Sequence, residues 1–112
     1  ARGVDPYATD FDRENLIDDI RARFGDLDPD ARTGEQVRIA GRVMLNRVTG
    51  KLVFAQVKDW TGQVQVMLSL AQVGEEAMTR WKEEVDLGDH VGVVGEVITS
   101  KRGELSVLPR TS

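Results

Sequence analysis

Three side chains in the middle of the sequence have the types and the spacing to bind an unpaired nucleic-acid base. Phe54 supplies a ring that can stack on a base, Gln65 an amide that can read a base edge, and Arg47 a cation for a phosphate or carbonyl oxygen. Phe54 and Gln65 both fall on the polar side of alternating stretches joined by a tight turn, so they are candidate cross-strand neighbours. Each also has a structural alternative: a core position for Phe54, ordinary strand surface for Gln65 and a turn charge for Arg47.

Several other residues are weaker candidates. Arg42 is either a phosphate contact or the partner of a salt bridge at a barrel edge, and the sequence leaves both alternatives open. The cations that could contact a nucleic-acid backbone are Lys51, Lys58, Lys101 and Arg102. The two tryptophans, Trp60 and Trp81, are expected to pack in the core or in loops rather than to stack on bases.

No catalytic or metal-binding constellation is visible in the sequence. There is one histidine, no cysteine and no glycine-rich phosphate loop that opens a helix, so we predict no catalytic residue and no metal site. The acidic pairs at 75–76 and 83–84 lie on a predicted amphipathic helix and read as a solvated face. His90 reads as a surface or edge residue.

The charge is distributed unevenly along the chain. The net charge is −4, which is unusual for a nucleic-acid-binding protein, but residues 37–69 carry five basic residues and only one acid, Asp59. A phosphate responds to charge within a Debye length of about 8–10 Å, so this local excess matters more than the total. The alternative is that acids simply collect on the helices.

Residues 37–69 must form the framework that positions these candidates. Apolar residues alternate there with period two, and the turn dipeptides Thr49-Gly50 and Thr61-Gly62 divide the stretch into three predicted strands. The residues predicted to face inward are Val37, Ile39, Val43, Leu45, Val53, Ala55, Val57, Val64, Val66 and Leu68. Those predicted to face outward are Arg38, Arg42, Met44, Asn46, Leu52, Phe54, Gln56, Gln63, Gln65 and Met67.

The flanking segments complete a five-stranded barrel. A helix is predicted to start near Thr9–Asp12, to carry an apolar stripe and to end before Gly25; the stripe is Leu16, Ile17, Ile20 and Phe24. A second helix is predicted over 70–86, with strands over 90–98 and 104–108. Five strands with a helix between the third and fourth is the order of the OB-fold, an all-β barrel with accessory helices. An SH3-like barrel is the main alternative, and it would lack a long helix at this position.

The length and composition of the chain predict a single domain with one hydrophobic core. The 112 residues divide into a predicted N-terminal extension with its helix, 1–34, and a predicted OB-fold domain, 35–112. Glycines 41, 92 and 95 are expected to let the strands bend around the barrel. The sequence contains no transmembrane or signal-peptide pattern. Because residue 1 is alanine and the sequence stops at Ser112, we expect a piece of a longer protein.

Several short motifs together resemble one family. They are Gly3-Val4-Asp5-Pro6-Tyr7, Gly41-Arg42-Val43-Met44 with Arg47 and Gly50-Lys51, Leu87-Gly88-Asp89, and Gly103-Glu104-Leu105-Ser106. In this order and at these spacings they resemble the N-terminal anticodon-binding domain of class II lysyl-tRNA synthetases, of the aspartyl, asparaginyl and lysyl subgroup. The resemblance covers most of the chain.

The resemblance implies roles for individual residues. The middle anticodon base, a uridine, is expected to stack on Phe54, and its edge to be read by Arg47 and Gln65. Glu104 is expected to help read a neighbouring uridine. The implied partner is therefore the anticodon loop of lysine tRNA.

The same resemblance limits what this segment can do. The class II catalytic domain is missing, so aminoacylation cannot reside here, and ATP and Mg²⁺ are expected only in the parent enzyme. The parent is either a stand-alone cytoplasmic synthetase or a bifunctional synthetase and phosphatidylglycerol lysyltransferase held at the cytoplasmic face of the membrane. We expect the segment itself to make no membrane contact and to be a monomer or weak dimer, while the parent is a homodimer. Two other functions remain open: a sequence-tolerant single-strand-binding OB module, and a structural or dimerisation domain.

Overall fold

The computed structural model describes residues 15–109, which form a closed five-stranded barrel with two helices. The elements in chain order are α1 (Ile17–Arg23), β1 (Arg32–Thr49), β2 (Leu52–Lys58), β3 (Gln63–Ser69), α2 (Leu70–Glu84), β4 (His90–Thr99) and β5 (Leu105–Pro109). The strand order around the barrel is β1-β2-β3-β5-β4, with β4 pairing back onto β1. β3 and β5 pair in parallel, and the other four pairings among residues 15–109 are antiparallel. The predicted OB-fold order, with a long helix between β3 and β4, is confirmed.

The first helix is shorter than predicted. It begins at Ile17, where the N-cap residue Leu16 forms no side-chain cap hydrogen bond, and it ends at Arg23. The predicted start near Thr9 and the motif Gly3–Tyr7 lie outside the described residues. Ile17 and Ile20 are buried in the same core as the barrel strands, so α1 packs onto the barrel.

β1 also begins earlier than predicted, at Arg32 instead of residue 36. Its first residues are held by the end of β4, where the Arg32 guanidinium forms two hydrogen bonds, of 3.2 and 2.8 Å, with the Glu96 carboxylate. The Gly34 amide donates to the same carboxylate at 3.0 Å. These contacts lie far apart in sequence, which explains why alternation of apolar residues did not reveal this part of the strand.

A β-bulge in the middle of β1 changes which residues face the core. Val43 pairs with Val57, but Leu45 pairs with Gln56, so one extra residue is accommodated at Met44. Beyond the bulge the faces are exchanged: Leu45 is 41% exposed, and its predicted inward orientation was wrong. The other predicted inward positions are buried.

Asn46 was predicted to face outward, and this too was wrong. After the bulge its side chain turns toward α2, where its Oδ1 accepts a hydrogen bond of 3.0 Å from the Trp81 indole. Trp81 is 2% exposed, as expected for a packing tryptophan. The bond satisfies the indole N–H in an apolar setting, where an unpaired donor would be costly.

Replacing Trp81 with phenylalanine is expected to lower the free energy of unfolding by about 1–3 kcal/mol, because the carbonyl of Asn46 loses its donor and the smaller ring leaves space. Urea denaturation followed by circular dichroism would measure this. A double variant, Trp81→Phe with Asn46→Leu, should recover part of the loss, whereas an unchanged midpoint in the single variant would show that the hydrogen bond contributes nothing.

Two glycines permit close approaches between strands, as predicted. A Cβ on Gly41 would lie 2.4 Å from the carbonyl oxygen of Lys58, and one on Gly95 would lie 2.6 Å from that of Leu108. A side chain at either position would force the strands apart. Gly41 also lies just before the bulge, so it helps β1 bend between its two halves.

The predicted second helix buries an apolar stripe and is kinked. Val73, Trp81 and Val85 are buried, and Ala77 packs against the core at partial exposure. Gly74 has φ of +87° and interrupts the helical backbone. Among the described residues, no helix has both the length and the apolar character needed to cross a bilayer.

Candidate nucleic-acid interface

Phe54 and Arg47 lie directly opposite each other on the outer face of the barrel. Phe54 is half-buried on β2, with Arg47 paired to it on β1 and Met67 paired to it on β3. Without the bulge at Met44, the side chain of Arg47 would point into the barrel, as that of Val43 does. The bulge therefore brings the cation onto the same face as the ring, a result that strand alternation alone could not predict.

Gln65 lies on this face one step away from Phe54. It pairs with Gln56 on β2, so it is the diagonal cross-strand neighbour of Phe54. Diagonal positions are about 7–8 Å apart at Cα, which is within reach of an aromatic ring and a long amide. One base can therefore contact both side chains.

The Gln65 amide is held in a defined orientation. Its Nε2 donates to the Ser106 hydroxyl at 2.9 Å, and that hydroxyl donates to the Glu104 carbonyl at 3.0 Å. One amide hydrogen is used, which leaves the other hydrogen and the carbonyl oxygen for a ligand. Ser106 was missed by the sequence analysis, because the parallel pairing of β3 with β5 joins residues 41 positions apart.

Glu104 lies at the edge of this face. It ends the turn between β4 and β5, where its amide donates to the Ser100 hydroxyl at 3.1 Å and its carbonyl accepts from Ser106. The side chain is exposed. Its backbone is thus fixed next to Gln65 while its carboxylate remains accessible, which places it beside the base-reading group that the resemblance implied.

The other two predicted site residues lie at opposite ends of the β1–β2 ladder. Lys51 is exposed in the β1–β2 turn, next to the Arg47 end, and its carbonyl accepts from the Leu70 amide at 2.9 Å. Arg42 pairs with Lys58 at the far end, about 15 Å from Arg47 at the usual rise per strand residue. The structure therefore brings Arg47 and Phe54 together, with Gln65 diagonal to Phe54 and Lys51 nearby. It places Glu104 at the edge, two residues from the Ser106 that holds Gln65, and it separates Arg42 from Arg47.

Asp59, the acid within residues 37–69, follows β2 at the end of the ladder far from Arg47 and Phe54. One oxygen of Asp59 accepts from the Ile17 amide at 2.9 Å, and the other accepts from the Thr61 amide and hydroxyl and from the Gly62 amide. Partial burial opposes ionisation, but these hydrogen bonds outweigh it, so the pKa of Asp59 is lowered. Its carboxylate holds the β2–β3 turn and the start of α1 in place.

In the part of the chain that the structure describes, Arg42, Arg47, Lys51 and Lys58 have no carboxylate partner, and the ion pairs there are formed elsewhere, by Arg32 with Glu96 and Arg23 with Glu35. The described residues therefore offer no salt-bridge partner for Arg42. Across residues 15–109 no group of three or more metal-ligating side chains is assembled. What the outer face offers is a ring, an oriented amide and unpaired cations, a set suited to binding a single-stranded anion with exposed bases.

A comparison with known families agrees with this geometry. A model of the tRNA anticodon type, described as an OB-fold nucleic acid binding domain, matches residues 37–110. The chain belongs to this family. The matched range contains the whole barrel from the middle of β1 and every predicted site residue.

Curated relatives of this OB-fold domain are lysine–tRNA ligases. The chain is 50% identical over 109 residues to that of Mycolicibacterium gilvum, 46% identical over 109 residues to that of Kineococcus radiotolerans and 42% identical over 106 residues to that of Methanoculleus marisnigri. These alignments cover 95–96% of this chain but only 21–22% of each relative. The resemblance to lysyl-tRNA synthetases is confirmed, and the chain spans about a fifth of the length of these relatives.

The family model describes a nucleic-acid-binding domain. This agrees with the prediction that the segment binds nucleic acid. The activity in the relatives' names belongs to proteins about five times longer.

Proposed function

We propose that this OB-fold domain recognises the anticodon loop of lysine tRNA. The observation that carries the proposal is the shared outer face of β1, β2 and β3, where the bulge at Met44 sets Arg47 opposite Phe54 with Gln65 diagonal to it. The relatives are named lysine–tRNA ligases, and for this reason we propose a lysine tRNA as the ligand. Lysine anticodons are rich in uridine, and a uracil edge offers both a donor and acceptors to an amide.

The proposed mechanism is capture of one unstacked base. The base stacks on Phe54, and stacking on an aromatic side chain contributes about 1–3 kcal/mol. Gln65 approaches the base edge with its free N–H and carbonyl oxygen, already oriented by Ser106. Because the amide does not have to be ordered on binding, less side-chain entropy is lost.

The remaining candidates act around this central base. Arg47 holds a phosphate or a base carbonyl from the β1 side, and the exposed carboxylate of Glu104 accepts from a neighbouring base on the β5 side. Lys51 contacts the backbone from the β1–β2 turn. Arg42 lies too far along β1 to contact the same nucleotide.

The parent protein is proposed to attach lysine to tRNA, with ATP and Mg²⁺ bound in a catalytic part outside this segment. A stand-alone cytoplasmic synthetase and a bifunctional lysyltransferase at the membrane face remain the two candidate parents. We propose a monomer or weak dimer for the segment and a homodimer for the parent. The dimerisation alternative rested on the apolar stripe of α1, and Ile17 and Ile20 of that stripe are buried within this chain.

A competition between ligands tests the proposal against a sequence-tolerant module. The chain is titrated with a lysine anticodon stem-loop and with oligo-U and oligo-dT strands as long as its loop, all at one fixed salt concentration. We expect the stem-loop to bind most tightly and oligo-dT, which lacks the 2′-hydroxyl, to bind most weakly. Equal affinity for all three would replace anticodon recognition with general single-strand binding.

A further inference from the structure

A second surface with the chemistry of a nucleotide site lies around Trp60. This indole is 85% exposed on the β2–β3 turn, contrary to the expectation that it packs. Beside it is an open groove of about 550 Å³, whose lining includes Leu16, Met44 and Arg42. A tryptophan exposed to this extent buries almost none of its apolar surface, so the fold itself does not explain its presence.

The turn that carries Trp60 is rigid. Asp59 donates its amide to the Gly62 carbonyl at 2.9 Å, and one oxygen of its carboxylate accepts from Thr61 and Gly62. The other oxygen binds the start of α1. The indole is thus presented on a backbone that does not need to be ordered when a flat ligand stacks on it.

Three basic residues stand in a row across the groove. Arg42 on β1 is paired on one side with Lys58 of β2 and on the other with His90 of β4. All three are exposed, and all three line the groove. The like charges of Arg42 and Lys58 lie directly opposite each other on neighbouring strands, which destabilises a sheet, and a bound anion removes that repulsion.

The acid in the groove, Asp59, forms no ion pair with these cations. Both carboxylate oxygens of Asp59 are occupied by hydrogen bonds from backbone amides and the Thr61 hydroxyl. Within the described residues, Arg42 and Lys58 have no carboxylate within ion-pair distance. The row of Lys58, Arg42 and His90 therefore remains available to an external anion.

We infer that the Trp60 groove is a second RNA subsite, in which a base stacks on Trp60 and a phosphate lies over the row of Lys58, Arg42 and His90. This inference rests on the proposed function, because it extends the same RNA ligand along β1. The groove lies about 15 Å from Arg47, so it takes a different nucleotide from the one on Phe54. Such a separation fits the site sizes of about 4–16 nucleotides seen for OB-folds.

The test uses the chain with a lysine tRNA transcript at several salt concentrations. Trp60→Ala is expected to weaken binding about 5-fold or more, and Trp60→Phe, which keeps a ring, to retain most of the affinity. The plot of log K against log salt has a negative slope, and Lys58→Gln is expected to make it shallower by about 0.7–0.9, the contribution of one phosphate contact. Lys82→Gln, an exposed cation on α2 outside the groove, is the matched control and should leave the slope unchanged.

Comparison with Phe54→Ala separates this inference from the proposed function. One outcome would overturn the second subsite: Phe54→Ala weakens binding, while Trp60→Ala binds within 2-fold of the unmodified chain and Lys58→Gln keeps the same salt dependence. The groove would then be better explained as a protein-docking surface. If Trp60→Ala weakens binding while Phe54→Ala does not, the subsite stands and the assignment of Phe54 fails. Because Trp60 is almost fully exposed, its variants should melt at the same temperature as the unmodified chain.

Discussion

Replacing Phe54 with alanine is expected to weaken binding of a lysine anticodon stem-loop by about 1–3 kcal/mol, or about 5- to 150-fold, through the loss of the stacking surface. The barrel should remain folded, because Phe54 lies on the outer face while its neighbours Val53 and Ala55 fill the core. Fluorescence anisotropy with a labelled stem-loop measures the affinity, and a thermal melt checks the fold.

Phe54→Leu is the matched control for this experiment. Leucine keeps apolar bulk between Arg47 and Met67 but has no ring, so it should lose nearly as much affinity as alanine while costing less stability. A folded alanine variant that binds with unchanged affinity would show that the ring is not the platform for the base.

Replacing Arg32 with alanine is expected to lower the free energy of unfolding by about 3 kcal/mol. The Glu96 side chain is only 6% exposed, and Arg32 forms a bidentate pair with it. Without the guanidinium, the buried carboxylate keeps the Gly34 amide but loses two charge-assisted hydrogen bonds, and breaking such a pair from one side is strongly destabilising. Urea denaturation measures the change.

Arg23→Ala provides the control for charge removal. Arg23 and Glu35 are 3.9 Å apart, and both side chains are more than half exposed, so this pair should contribute less than about 0.5 kcal/mol. Equal effects for Arg23→Ala and Arg32→Ala would mean that the Glu96 carboxylate is well solvated and that the start of β1 is held by other contacts.

The parts of the fold that follow from local pattern were predictable. The alternation of apolar residues placed Val53, Ala55 and Val57 in the core and Phe54 outside. The recurrence of apolar residues every four positions, from Val73 to Trp81, located α2. Turn dipeptides marked both hairpins. These signals work because each depends on residues close in sequence that share one face of one element.

The site itself depended on features that local pattern does not encode. Nothing in the run from Val43 to Leu45 marks a bulge, so Leu45 was placed inside and Arg47 could not be assigned to the outer face by alternation. Ser106 reaches Gln65 only because β5 crosses the barrel to lie parallel to β3. Trp60 was expected to pack because large aromatic residues usually do, although its position between Asp59 and the Thr61-Gly62 turn already signalled exposure.

The most direct test of anticodon recognition is a pair of titrations that differ in a single base. The chain is titrated by fluorescence anisotropy with a lysine anticodon stem-loop and with the same stem-loop carrying cytidine in place of the middle uridine, at one low salt concentration. Reading of the base edge by Gln65 and Arg47 predicts tighter binding of the uridine loop by about 1–3 kcal/mol. Equal binding of the two loops would contradict anticodon recognition by this domain.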